Sequence, residues 1–150
     1  MRRRPAARLL PIDENGSVLL FRFVIKSGPS AGDDYWATAG GAVEDGESFA
    51  EAALRELTEE TGFVVEDVGE PVAEREFVLQ LLNGEKVVAE EKYFIVRVTR
   101  QELSNERWTD LEKEVMAEHR WWSLEELQAT RDRFFPENLA EMLTSANSTD

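Results

Sequence analysis

The chain has 150 residues, 42% hydrophobic and 32% charged, proportions that suit one soluble domain with a core of its own. Its net charge of −14 repels a phosphate backbone and argues against general nucleic-acid binding. The lack of cysteine removes disulfides and thiolate chemistry, and the single histidine, His119, removes multi-histidine zinc sites.

A reducing cytoplasm is the expected compartment, and no apolar run is long enough to span a membrane. Any chemistry falls to the carboxylates. An acidic protein that handles phosphates also needs a local cation, and a divalent metal ion supplies one.

In chain order, Ala6–Asp13 and Ser17–Ile25 read as strands joined by the hairpin signal Asn15-Gly16. Residues 26–34 form a loop on their Gly, Pro and Ser content, and Tyr35–Ala39 is a short strand ending at Gly40-Gly41. A helix is expected from about Glu47 to Thr61, with the capping pattern Ser48-x-x-Glu51 at its start and Gly62 at its end.

Val68–Leu82 and Glu85–Thr99 are strand-like and meet at Asn83-Gly84. Gln101–Glu118 reads as an acidic loop with helical fragments. His119–Trp122 reads as a last strand, and Ser123 caps a short helix. Pro136–Leu143 is a terminal helix, with a disordered tail expected from about residue 145. The result is one domain over 1–150, an α+β fold with a mixed sheet between helices.

At about 100° per residue, Glu56, Glu59 and Glu60 share one helix face, beside an apolar stripe of Ala50, Ala53, Leu54 and Leu57. Three clustered carboxylates repel, and Arg55 or a hard divalent cation can relieve that. Gly40 and Gly41 allow the backbone to approach a ligand closely. An acidic helix face alone is ordinarily solvated surface.

The spacing around it is not ordinary. Gly41, Glu47, Arg55, Glu56, Glu59, Glu60 and Gly62, with apolar Leu57 and Phe63, fill G-x5-E-x7-R-E-U-x-E-E-x-G-U across residues 41–63 without insertion. In this the chain resembles the Nudix hydrolases, MutT-like bacterial members in particular, and Trp36 before the glycines and Arg120-Trp121-Trp122 add to the likeness.

The resemblance implies an α/β/α sandwich and hydrolysis of the diphosphate linkage of a nucleoside diphosphate derivative, by water attack on phosphorus with Mg²⁺ or Mn²⁺. It makes Glu56, Glu59 and Glu60 the metal ligands, Arg55 their orienting residue and Glu47 a supporting carboxylate. Glu59 is the favoured general base, with Glu90 or Glu91 as the later candidate; Glu91 is also a possible further ligand. Where many members have Pro before the glycines this chain has Ala39.

Specificity lies outside the motif. Trp36, Arg22, Gly40 and Gly41 are the expected substrate contacts, and one of Trp121 and Trp122 is expected in the core while the other faces a cleft. Leu79 stands where a subfamily acting on ADP-ribose usually has proline. The preferred substrate is therefore a (d)NTP or related nucleotide, ahead of ADP-ribose, nucleotide sugars and dinucleoside polyphosphates. A non-catalytic nucleotide-binding module is the competing class, and a homodimer remains open. An isomerase of this fold is disfavoured by the missing cysteine.

Overall fold

A computed structural model describes residues 1–148. Strand β1 (Arg3–Ile12) runs through the middle of a curled mixed sheet. It lies parallel to β6 (Lys86–Arg97), from Arg3↔Val88 to Ile12↔Arg97, and antiparallel to β4 (Ala39–Ala42), from Ala6↔Ala42 to Leu9↔Ala39.

The hairpin to β2 (Val18–Val24) forms but opens at once, with Ile12↔Val18 its register pair. The turn is fixed by Asp13, whose Oδ1 accepts the N–H groups of Asn15 and Ser17 at 2.9 Å. Beyond it, Pro11 points the same way as Asp13 and has no N–H to give β2. The strands separate there. β2 pairs instead with β3 (Asp34–Ala37) and β7 (Met116–Trp122), while β5 (Ala73–Gln80) pairs antiparallel with β6 across the Asn83-Gly84 turn.

Period-two alternation divides the apolar residues between two faces. Ala7, Leu9, Leu19 and Phe21 pack on Ala52, Ala53 and Leu57 of helix α1 (Phe49–Thr61). Leu10, Ile12, Leu20, Trp36 and Trp122 pack on Leu127 of α3 (Leu124–Ala129) and Leu139, Met142 and Leu143 of α4 (Leu139–Ser148). Each buried Leu or Phe contributes about 1.5–3 kcal/mol. The result is the expected α/β/α arrangement. No helix among the described residues is long and apolar enough to cross a membrane.

Three expectations are corrected, and one element is additional. Tyr35–Ala39 breaks at Thr38 into β3 and β4, so Gly40 and Gly41 lie within a strand. The last long strand begins at Met116, three residues before His119, behind the short helix α2 (Asp110–Val115). The two-residue strand β8 (Phe134–Phe135), which pairs parallel with β3, was not expected. The tail expected to be disordered from about 145 is helical through Ser148, because Ala146 is buried against the core and Asn147 Nδ2 donates to Gly16 O at 3.1 Å. Residues 149–150 lie outside the described residues.

Candidate active site

Helix α1 begins at Phe49, capped reciprocally by Ser48 and Glu51, and ends on Gly62 at φ +81°. The late start leaves Glu47 outside the helix, where both its oxygens face Arg55. Arg55 Nε and Nη2 donate to them at 2.8 and 2.9 Å, and Glu44 N–H adds a third bond at 2.9 Å.

The Arg55 fork continues through Nη1 to Glu56 Oε1 at 2.8 Å and Glu59 Oε2 at 3.1 Å, and through Nη2 to Ala42 O at 3.0 Å. Arg55 thus ties the helix to β4. Its hydrogen bonds, with that from Glu44 N–H, hold the Glu47 carboxyl down at about 2, and Glu47 in turn raises Arg55 above its ordinary range.

Glu56 and Glu60 turn inward. With Glu112 of α2 they bring carboxylate oxygens within 4.8 Å of one another. Burial pushes the Glu56 carboxyl up against the opposing pull of Arg55. Burial pushes Glu60 well above the usual range despite the hydrogen bond from Gly40 N–H at 3.0 Å, and Glu56 and Glu112 add to it. An oxygen-only, largely buried and mutually repelling set suits a hard divalent cation, and these residues fit Mg²⁺ or Mn²⁺.

Glu59 is not in that group. It is the outermost of Glu56, Glu59 and Glu60, its side chain 40% exposed and one oxygen fixed by Arg55. Glu112, from outside the motif, is the third member of the group. The pattern Thr109-x-x-Glu112 is a capping box and signals the start of α2, with Glu112 Oε1 accepting Thr109 N–H at 2.8 Å. Nothing local in the sequence brings that helix to α1.

Packing demands both glycines. A Cβ on Gly40 (φ +138°) would stand 2.1 Å from Ala7 O, and one on Gly41 would stand 2.6 Å from Glu56 Oε1. Each lets a neighbour of the carboxylate group come close.

Beside this group lies a cavity of about 440 Å³. Phe23 stacks on Tyr35 at 5.6 Å, Phe135 meets Tyr35 edge-on at 5.4 Å, and Arg8, Arg75, Asp33 and Glu91 supply polar walls. Glu91 is buried there. Arg8 Nε donates to its Oε2 at 2.9 Å and Tyr93 Oη to its Oε1 at 2.5 Å. Both Glu91 oxygens are thus engaged, and Glu91 is not among the Glu56–Glu60–Glu112 group. Glu90 points the other way, to an exposed ion pair with Arg3.

Two expected substrate contacts are elsewhere. Alternation puts Tyr35 and Ala37 on the cavity side of β3 and Trp36 on the opposite face. Trp36 is buried edge-on against Trp122 at 5.1 Å, with Nε1 donating to Asp132 at 3.2 Å. Arg22, its cross-strand partner, makes a bidentate pair with Asp34 at 2.8 and 2.6 Å.

Trp122 is the core member of the tryptophan pair, as expected of one of them. Trp121 stacks on Phe63 at 6.3 Å instead of facing the cavity. Arg8, Phe23, Arg75 and Phe135 were missed as wall residues. The parity of Glu91 with Tyr93 was the available signal for that face.

A family model for the NUDIX domain matches residues 2–143. No match was found among curated protein sequences. Among solved structures, the MutT protein from Methanosarcina mazei Go1 superposes with a TM-score of 0.70 at 26% identity, covering 98% of this chain and 96% of that one. The E. coli ORF135 protein gives 0.64 at 26% identity, covering 100% and 96%. The NUDIX domain of Shewanella oneidensis NrtR, in complex with ADP ribose, gives 0.65 at 18% identity, covering 99% and 89%, a likeness of fold alone. With the complete motif at residues 41–63 folded as a strand, loop and capped helix, the chain belongs to the Nudix family and is a MutT-like Nudix hydrolase.

Proposed function

We propose that the protein hydrolyses the diphosphate linkage of a nucleoside triphosphate or related mononucleotide. Glu56, Glu60 and Glu112 hold a divalent cation, Mg²⁺ or Mn²⁺. When bound, the cation offsets the charge of the diphosphate and makes its phosphorus more open to attack. Glu59 accepts the proton of the attacking water. One of its oxygens is fixed by Arg55, while its exposure leaves the carboxylate open to solvent.

Water oxygen bonds to phosphorus, the bridging P–O bond breaks, and the bridging oxygen leaves with the other phosphate group. From a triphosphate the products are a nucleoside monophosphate and pyrophosphate. The nucleobase stacks in the aromatic cavity beside Tyr35 and Phe135. At about 440 Å³ the cavity is near the small end of ligand sites, which favours one nucleoside over two.

The observation that carries this reading is the group of buried Glu56 and Glu60 with half-buried Glu112, beside an aromatic cavity. The test is product release from dNTPs, oxidised dNTPs, ADP-ribose, nucleotide sugars and dinucleoside polyphosphates, with Mg²⁺ and with EDTA. Mg²⁺-dependent turnover of mononucleoside triphosphates is expected, falling about 10²–10⁴-fold in Glu59→Gln. Binding without turnover of any compound supports the non-catalytic module instead, and full activity of Glu59→Gln removes that residue as the base.

A further inference from the structure

In a protein of net charge −14, an arginine without a carboxylate partner is informative, and β1 carries one. Arg2 and Arg3 pair with Glu85 and with Glu76 and Glu90. The Arg4 side chain is half-buried and makes no hydrogen bond or ion pair among the described residues. Burial lowers its guanidinium from the ordinary value, and neighbouring Arg8 lowers it further.

Arg8 is on the same face, four residues and about 13 Å along the strand. Its Nε is committed to Glu91, while neither Nη has a hydrogen bond among the described residues, and it lines the cavity.

Register gives the pair its meaning. Glu91 lies opposite Ala6, midway between the two arginines, and its carboxylate is turned to Arg8, leaving Arg4 free. On the other side of β1, Arg8 lies opposite Gly40 and Ala6 opposite Ala42. Gly40 N–H binds Glu60, and Gly41 lies against Glu56. The strip from Arg8 to Arg4 therefore begins at the cavity and runs one strand away from the carboxylate group.

We propose that Arg8 and Arg4 clamp the phosphate chain of the substrate, Arg8 nearest the nucleoside and Arg4 at the far end, with Glu91 and Tyr93 positioning Arg8. The inference rests on the nucleotide reading above and adds a preference for three phosphates over two. Glu91 thereby acts through Arg8 rather than on the reacting water.

The test is calorimetric titration with inorganic pyrophosphate and with inorganic tripolyphosphate, each in Mg²⁺ and in EDTA. Arg8→Gln is expected to weaken both by about tenfold, one charge-assisted contact. Arg4→Gln should weaken tripolyphosphate by about tenfold and pyrophosphate by less. Glu91→Ala should match Arg8→Gln, and the double variant should be no weaker than either alone. Tyr93→Phe, which keeps the buried ring, should move the same way by a smaller factor.

With the best nucleotide, the arginine variants should raise KM more than they lower kcat. Wild-type affinity for tripolyphosphate in either arginine variant, at an unchanged melting temperature, overturns the clamp. A chain that binds tripolyphosphate through both arginines yet hydrolyses no nucleotide retains the clamp and overturns the enzymatic reading. Hydrolysis with unchanged binding in the variants does the reverse.

Discussion

The carboxylate group and the cavity beside it are built in opposite ways. Most of the first comes from one continuous segment, in which Arg55 gathers Glu47, Glu56, Glu59 and Ala42, and α2 adds only Glu112. The second is assembled from β1, β2, β3, β5, β6 and β8, with four residues from β5 and one or two from each of the others. A segment that carries its own ion pairs and caps can keep its chemistry on many scaffolds. A cavity assembled from many strands changes with any of them, which suits a part that selects the substrate.

Neighbouring residues on β3 sharpen the contrast most strongly. Trp36→Ala removes a buried indole and should cost about 3–5 kcal/mol in denaturant unfolding. Tyr35→Ala removes a cavity wall, and it should raise KM with a smaller loss of stability. The reverse pattern would place the nucleoside on the other face of the sheet.

Gly41→Ala is the next largest. Its Cβ would meet the Glu56 carboxylate rather than backbone, so the protein should fold while Mg²⁺ affinity drops about 10–100-fold, read by titration. Unchanged affinity would separate Glu56 from the metal.

A smaller effect is expected on pH. Burial holds Glu56 and Glu60 above the ordinary carboxyl value, so the folded, metal-free protein keeps protons that the unfolded chain releases. That stability is fully present below the unfolded carboxyl value of about 4.3 and is lost as pH rises through the raised folded values. In EDTA, Tm should fall from pH 5 to pH 8, and Mg²⁺ should abolish the fall. A Tm in EDTA that rises over this window contradicts the assignment.

Both hairpin turns, the helix caps and the motif were legible because each is a local rule: Asn-Gly, Ser48-x-x-Glu51 and a fixed spacing. The opening of the first hairpin was not, since it depends on which side of β1 the missing N–H of Pro11 faces. Trp36 and Arg22 were misplaced because residue type suggested contact with a base and a phosphate, while strand parity put both on the other face. Glu112 lay in a segment read as an acidic loop. Its capping role was visible in the sequence, but its approach to Glu60 depends on tertiary packing.

Glu112 therefore tests the central claim most directly. Mg²⁺ titration of Glu112→Gln beside Glu59→Gln should show affinity weakened by at least about tenfold in the first and nearly unchanged in the second. Wild-type Mg²⁺ affinity in Glu112→Gln, with the loss falling on Glu59→Gln, would contradict the account and return the metal to the outer face of the helix.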